Sequence, residues 1–312
     1  MKIVFMGTPE FALACLKALT DSRHEVVAVV TQPDRPASRG MKLVQPPVKV
    51  HALELNIPVL QPEKIKTIDI MAQLADFSAD IFVVAAYGQI LSQKLLDMPK
   101  FGAINVHASL LPKYRGASPI QQAISDGEHV TGITIMQMDK GMDTGDMILK
   151  HTVSINTHDT GGILHDKLCV AAQPALLEAL QSIENGTAQR EAQNHMLATY
   201  APLITKEMTH LNWHKSPAHI VNLVRAYNPF PGTFTKLNNT QIKIWQAEIA
   251  DHTHNGNLTP GEIIRACPKK GIFVAAKDGV IRIVEVTPSG GKKMPAEVFV
   301  RGRDIAVGTF LT

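Results

Sequence analysis

Asn105 and His107 are separated by a single residue within an apolar run, Ala103-Ile104-Asn105-Val106-His107. Side chains in a strand alternate between faces, so these two point the same way. Further along, Gly141-Met142-Asp143-Thr144-Gly145-Asp146 offers a carboxylate bracketed by glycines. An imidazole can move protons near neutral pH. An Asn side-chain N–H can stabilise the oxyanion of a tetrahedral intermediate. A carboxylate beside the imidazole can orient it and favour its protonated form. Together Asn105, His107 and Asp143 suit the transfer of a carbonyl-type group between two amines. That reaction needs no Ser or Cys nucleophile, because an uncharged amine attacks the carbon directly. No metal is expected, since no second His or Cys stands at a zinc-like distance from His107.

Such a trio needs a rigid scaffold, and the chain alternates strand and helix patterns. Strands are predicted at Lys2–Met6, Val26–Thr31, Pro58–Gln61, Asp80–Ala86, Ala103–His107, Gly132–Met138 and Met147–Ile155. Helices are predicted from Glu10 to Leu19, over Val48–Leu55, Lys64–Asp76, Ser92–Leu96, Pro119–Ser125 (capped by Ser118) and Gly162–Ile183. Gln32 to Pro47 reads as a Pro- and Arg-rich loop. The alternation predicts an α/β class with a doubly wound, Rossmann-like, mostly parallel sheet. Ligands in such sheets bind beyond the carboxyl ends of the strands, where His107 falls. After Asn185 the pattern fades, and beyond Pro231-Gly232 it becomes short alternating runs with Asn238-Asn239 and Asp278-Gly279 as hairpin turns. The expected organisation is a catalytic domain over 1–188, a linker over 189–205 and an OB-like antiparallel β-barrel over 206–312.

The bulk properties narrow the function classes. At 45 % hydrophobic and 19 % charged residues, the composition is that of a soluble globular protein. The apolar runs are too short to span a bilayer, and Met1-Lys2 leads directly into a strand rather than a signal sequence. Three scattered cysteines, Cys15, Cys169 and Cys267, argue against a disulfide framework and for a reducing, cytoplasmic setting. From Lys206 onward there are 14 Lys+Arg against 8 Asp+Glu, a net of +6, while the first 205 residues carry a net of −3. A basic tail domain on a mildly acidic body points to a polyanionic partner. Gly7-Thr8-Pro9 lacks the later glycines of a dinucleotide loop, which would fall at Pro9 and Ala12, so no nicotinamide is expected.

The motifs Asn105-Val106-His107-Ala108-Ser109-Leu110-Leu111-Pro112, Tyr114-Arg115-Gly116 and Gly141 to Asp146 resemble the folate-dependent formyltransferases. The resemblance implies 10-formyltetrahydrofolate as formyl donor, catalytic roles for Asn105, His107 and Asp143, and folate contact by Ser109, Leu110, Leu111 and Pro112. These motifs do not choose the acceptor; a nucleotide-linked amino sugar is compatible with them. Gln32 to Gly40, Pro46-Pro47-Val48-Lys49, Ala85 to Gly88, Thr134 to Met138, Tyr200-Ala201-Pro202 and Arg225 to Pro229 resemble the branch of the family that acts on aminoacyl-tRNA. That likeness implies an initiator methionyl-tRNA partner, contacted by Arg35, Arg39 and Lys42 on the basic loop and by Lys206. Basic side chains on such a loop can reach backbone phosphates. A monomer acting in the cytoplasm, without membrane association, is the expected state.

Overall fold

The apolar run that opens the chain forms β1 (Lys2–Gly7), and Ile3, Val4, Phe5 and Met6 are all buried. A strand covered on both faces belongs inside a sheet flanked by helices. The computed structural model describes residues 1–37, 42–251 and 259–312. After β1 come α1 (Glu10–Thr20), β2 (Glu25–Val30), β3 (Arg35–Ala37), β4 (Lys42–Val44), α2 (Pro47–Glu54), β5 (Val59–Leu60) and α3 (Ile68–Asp76). They are followed by β6 (Ile81–Ala85), α4 (Gln93–Leu96), β7 (Ala103–His107), β8 (Arg115–Gly116), α5 (Pro119–Ser125), β9 (Val130–Gln137), β10 (Met147–Ser154), α6 (Gly161–Glu184) and β11 (Tyr200–Ala201).

The main sheet runs β10-β9-β7-β6-β1-β2-β5. Its pairs β2/β5, β1/β2, β1/β6 and β6/β7 are parallel, and β7/β9 and β9/β10 are antiparallel. The mostly parallel, doubly wound sheet expected from the sequence is therefore present. Strand order reverses at β1, and the carboxyl ends of β1, β6 and β7 share one edge, where such sheets bind ligands.

Two local departures have plain causes. The stretch predicted as a loop contains the short antiparallel pair β3/β4, with Arg35 opposite Val44. Three-residue strands carry too little alternation to register in sequence, and Pro36 is tolerated because each strand is an edge. The helix predicted from Lys64 begins at Ile68. The preceding turn is held instead by Gln89, whose amide accepts from the Ile65 N–H at 2.9 Å and donates to the Pro62 carbonyl at 3.1 Å.

By its internal contacts the chain forms two compact units that interleave in sequence. One comprises Met1–Pro119, Val130–Ser154 and His165–Ala201; the other comprises Ile120–His129, Ile155–Leu164 and Pro202–Thr312. In the first unit, the stretch read as a connector is tied down. β11 pairs with β8, and Glu191 exchanges backbone hydrogen bonds with Met147.

The second unit holds α7 (Pro217–Ala226), β12 (Thr233–Leu237), β13 (Thr240–Ile249), β14 (Ile263–Cys267), β15 (Gly271–Ala276), β16 (Gly279–Pro288), β17 (Met294–Pro295) and α8 (Ala296–Arg301). Its antiparallel sheet runs β12-β13-β16-β15-β14, with β17 on β16. The chain end bridges both edges: Leu311 pairs with Leu237 beside β12, and Phe310 with Glu262 beside β14. This brings the sheet toward closure around Trp213, Ile220, Ile244, Ile281 and Phe299. Arg225 ties in the segment after β10 by donating to the carbonyls of Asn156, Thr157 and Asp159. Cys15, Cys169 and Cys267 are free thiols. Among the described residues, no helix is long and apolar enough to cross a membrane.

Candidate active site

β7 lies between β6 and β9, with Asn105 opposite Val84 on one side and Met136 on the other. Its alternation puts Asn105 and His107 on one face, and its last residue, His107, reaches the carboxyl edge of the sheet. His107 is buried and Asn105 half-buried. Among the described residues the Asn105 amide makes no hydrogen bond, which leaves its N–H groups available to a ligand.

The His107 ring is held by the backbone. Its Nε2 lies 2.9 Å from the Tyr114 carbonyl, which can only accept, so Nε2 carries the hydrogen. Nδ1 faces Asp143 Oδ2 at 3.7 Å, close enough for charge attraction but too long for a hydrogen bond. The hydrogen bond that orients the ring comes from a main-chain carbonyl and not from Asp143, the group expected from the sequence to orient it. With Nε2 committed to the Tyr114 carbonyl, Nδ1 is the ring atom left facing the Asp143 carboxylate and the open site.

Asp143 occupies the turn between β9 and β10 in a left-handed conformation (φ 53°). Its Oδ2 accepts from the Gly116 N–H at 2.8 Å. The turn is braced from within, as Asp139 accepts from the Gly141 N–H at 3.0 Å and from the Thr144 hydroxyl at 2.7 Å. Gly145 lies against the Gln137 carbonyl, and a Cβ there would collide with it. Gly145→Ala is therefore expected to displace the Asp143 turn. Stability should drop by about 1–3 kcal/mol in urea unfolding, and kcat by at least about tenfold. Wild-type values for both would show that the turn can shift freely.

The segment after His107 folds back on β9. Thr134 Oγ1 donates to the Ser109 carbonyl at 2.7 Å and accepts from the Leu111 N–H at 3.1 Å. The Ser109 hydroxyl donates to the Lys113 carbonyl at 2.6 Å, and Leu111 is buried against Met136 and Met147. Of the four residues expected to meet folate, Leu110 and Pro112 keep part of their side chains open, while Ser109 and Leu111 shape the turn.

Arg35 is exposed on β3, with Nη2 3.5 Å from Glu63 Oε2. Arg39 lies outside the described residues, and of Lys42 only the backbone in β4 is described. Lys206 is exposed at the start of a short turn in the second unit. The base of the β3/β4 arm is anchored by Asp34, which bonds Gln61 at 2.7 Å and Lys49 at 2.7 Å. The hydrogen bond from Gln61, and after it Lys49, holds the Asp34 carboxyl below its ordinary range.

Several contributors escaped the sequence reading. The Tyr114 carbonyl and the Gly116 N–H are backbone groups, invisible to a side-chain pattern. Gln193 and Arg115 are buried polar side chains at 6 % and 2 % exposure. Tyr114-Arg115-Gly116 is legible as a motif, but no sequence pattern links Arg115 to a glutamine 78 residues along the chain.

Comparisons with known proteins place the whole chain in a family. A family profile described as "Formyl transferase" matches residues 1–180, and one described as "Formyl transferase, C-terminal domain" matches 203–304. A methionyl-tRNA formyltransferase of Desulforamulus reducens is 49 % identical over 311 residues, covering 100 % of this chain and 98 % of its own. One of Ruminiclostridium cellulolyticum is 46 % identical, covering 99 % and 98 %. Among solved structures, an N-formyltransferase of Helicobacter canadensis, in complex with folinic acid and dTDP-3-aminofucose, shares the fold. Its TM-score is 0.66 at 21 % identity, covering 91 % of this chain and 98 % of that one. HypX of Aquifex aeolicus in complex with tetrahydrofolic acid aligns with a TM-score of 0.64 at 17 % identity, covering 99 % of this chain and 51 % of that one. With profiles matching both halves and full-length relatives at nearly half identity, the chain belongs to the methionyl-tRNA formyltransferase family.

Proposed function

We propose that the protein transfers the formyl group of 10-formyltetrahydrofolate to the α-amine of initiator methionyl-tRNA. The observation that carries the chemistry is the group at the carboxyl end of β7: an Asn105 amide with no hydrogen-bond partner among the described residues, His107 held through Nε2, and Asp143 facing Nδ1. The uncharged α-amine attacks the formyl carbon and a new C–N bond forms. The carbonyl oxygen becomes an oxyanion, stabilised by the Asn105 N–H and the His107 Nδ1–H. The attacking nitrogen loses a proton, the folate N10 gains one, and the bond from carbon to N10 breaks. The products are tetrahydrofolate and N-formylmethionyl-tRNA. Asp143 Oδ2, 3.7 Å from Nδ1, attracts the positive charge that develops on the ring when a proton passes through it.

The acceptor assignment rests on the near-full-length similarity to methionyl-tRNA formyltransferases, together with the basic arm and the basic second unit. Incubation with methionyl-tRNA and the formyl donor should yield formylmethionine after deacylation. Formylation of a nucleotide-linked amino sugar, with none of methionyl-tRNA, would overturn the acceptor and keep the chemistry. Arg35→Ala and Arg39→Ala should each lower kcat/KM for tRNA about uniformly across tRNA sequences. Each should also reduce the slope of log affinity against log salt by about one. An unchanged slope and unchanged turnover would remove the arm from tRNA binding.

A further inference from the structure

We propose that Gln193 is a positioning residue for Asp143 and that Arg115 locks Gln193 in place; the inference rests on the formyl-transfer reading above. Gln193 Nε2 donates to the Asp143 carbonyl at 2.9 Å and to the Gly145 carbonyl at 2.8 Å. One amide thus grips the turn at Asp143 itself and again two residues beyond it, along the part of the turn that leads into β10. The other end of the amide is gripped in turn. Gln193 Oε1 accepts from Arg115 Nη2 at 2.6 Å and Nε at 3.1 Å.

The arrangement leaves the amide one orientation. A guanidinium donates and never accepts, so only the oxygen can face Arg115, and both N–H groups must face the turn. Arg115 itself is buried and has no carboxylate within ion-pair distance among the described residues. Its Nη2 also lies 3.0 Å from His195 Nδ1. A buried cation facing a neutral carbonyl oxygen polarises the amide and strengthens its N–H donors.

The neighbours of Arg115 act on the same pair of residues. Tyr114 supplies the carbonyl that holds His107, and Gly116 supplies the N–H that holds the Asp143 carboxylate. Pairing of Arg115 with Tyr200 and of Gly116 with Ala201 fixes this short strand. Three consecutive residues therefore set the separation of His107 and Asp143, and Gln193 carries the backbone part of that control. A displacement of about 1 Å at such a group is enough to cost a large factor in rate.

The test separates positioning from simple satisfaction of a buried arginine. Q193E preserves, and strengthens, the acceptor for Arg115, but its carboxylate cannot donate to the Asp143 and Gly145 carbonyls. If Gln193 serves only Arg115, Q193E keeps full activity. Positioning predicts a melting temperature near wild type, kcat lower by about 30- to 100-fold, and KM for both substrates within about twofold. In the Asp143→Ala background Q193E should cause no further loss, because the group it places is gone. Near-normal turnover in Q193E, or a double variant reduced by the product of the two single losses, would overturn the proposal. If Q193E melts well below wild type, the same cycle with Gln193→Leu reads the coupling without a buried negative charge. Wild-type protein that forms no formylmethionyl-tRNA would refute the proposed function instead.

Discussion

His107→Ala should lower kcat by about 10²- to 10⁴-fold while leaving KM for methionyl-tRNA and for the folate donor within about twofold. The magnitude follows from what the ring does in this site. His107 is buried at the end of β7, its Nε2 is committed to the Tyr114 carbonyl, and only Nδ1 is available to move a proton or donate to an oxyanion. Removing the ring deletes a donor needed in the transition state and little that holds either substrate in the ground state, so the loss appears in kcat. Steady-state formylation kinetics with each substrate varied in turn would measure it. His107→Asn provides a control, because a short amide can refill part of the space but cannot shuttle a proton; it should remain within about tenfold of the alanine variant. Turnover near wild type in His107→Ala would remove His107 from the chemistry and leave it a structural residue at a strand end.

Asn105→Asp should lower kcat by about 10³-fold or more, exceeding the loss of about 10²- to 10³-fold expected for Asn105→Ala. The two variants probe the same position with opposite electrostatics. Alanine withdraws the N–H that faces the developing oxyanion. Aspartate, nearly the same in shape, places a carboxylate there and repels the charge that the site must stabilise. Folding should be nearly unaffected in both, since the Asn105 side chain is half-buried and has no hydrogen-bond partner among the described residues. Thermal melts within a few degrees of wild type, beside the kinetics, would show the loss to be chemical. Equal activities for the two variants would mean that no oxyanion forms against this side chain.

Gly145→Ala and Q193E examine the same turn from its backbone and from its clamp. The Gly145 substitution is destabilising because a methyl group has no space beside the Gln137 carbonyl. Q193E keeps the side chain's size and shape while it removes the N–H donors and adds a charge beside Arg115. A fall in activity shared by both, with a fall in stability confined to Gly145→Ala, is the signature of a turn whose function depends on its exact setting rather than on its contribution to folding.

The amino-acid sequence by itself determined the strand pattern and which side chains are on hand for the proposed chemistry. Asn105 and His107 had to share a face once their run was a strand, because strand periodicity is set by local backbone geometry. The fully apolar Ile81–Ala85 had to lie inside the sheet, since it has no polar face to give to water. The Asp143 turn was legible because two nearby glycines mark a place where the chain can turn sharply. The β3/β4 pair was not legible because three-residue strands carry too little alternation, and the turn held by Gln89 was not because Gln89 stands 24 residues beyond Ile65.

Tertiary structure alone decided how the trio is held. The carbonyl that fixes His107 and the N–H that fixes Asp143 are main-chain groups, which every residue possesses and no pattern reveals. Gln193 stands 50 residues beyond Asp143, in a stretch of Asn, Gln and Ala that reads as a connector. It becomes part of the site only when β11 pairs with β8 and its amide is buried between Arg115 and the turn. Sequence specifies which groups can do the chemistry because that is a property of side chains. Their separation and orientation are properties of the folded backbone, set by hydrogen bonds between segments that only the fold brings together.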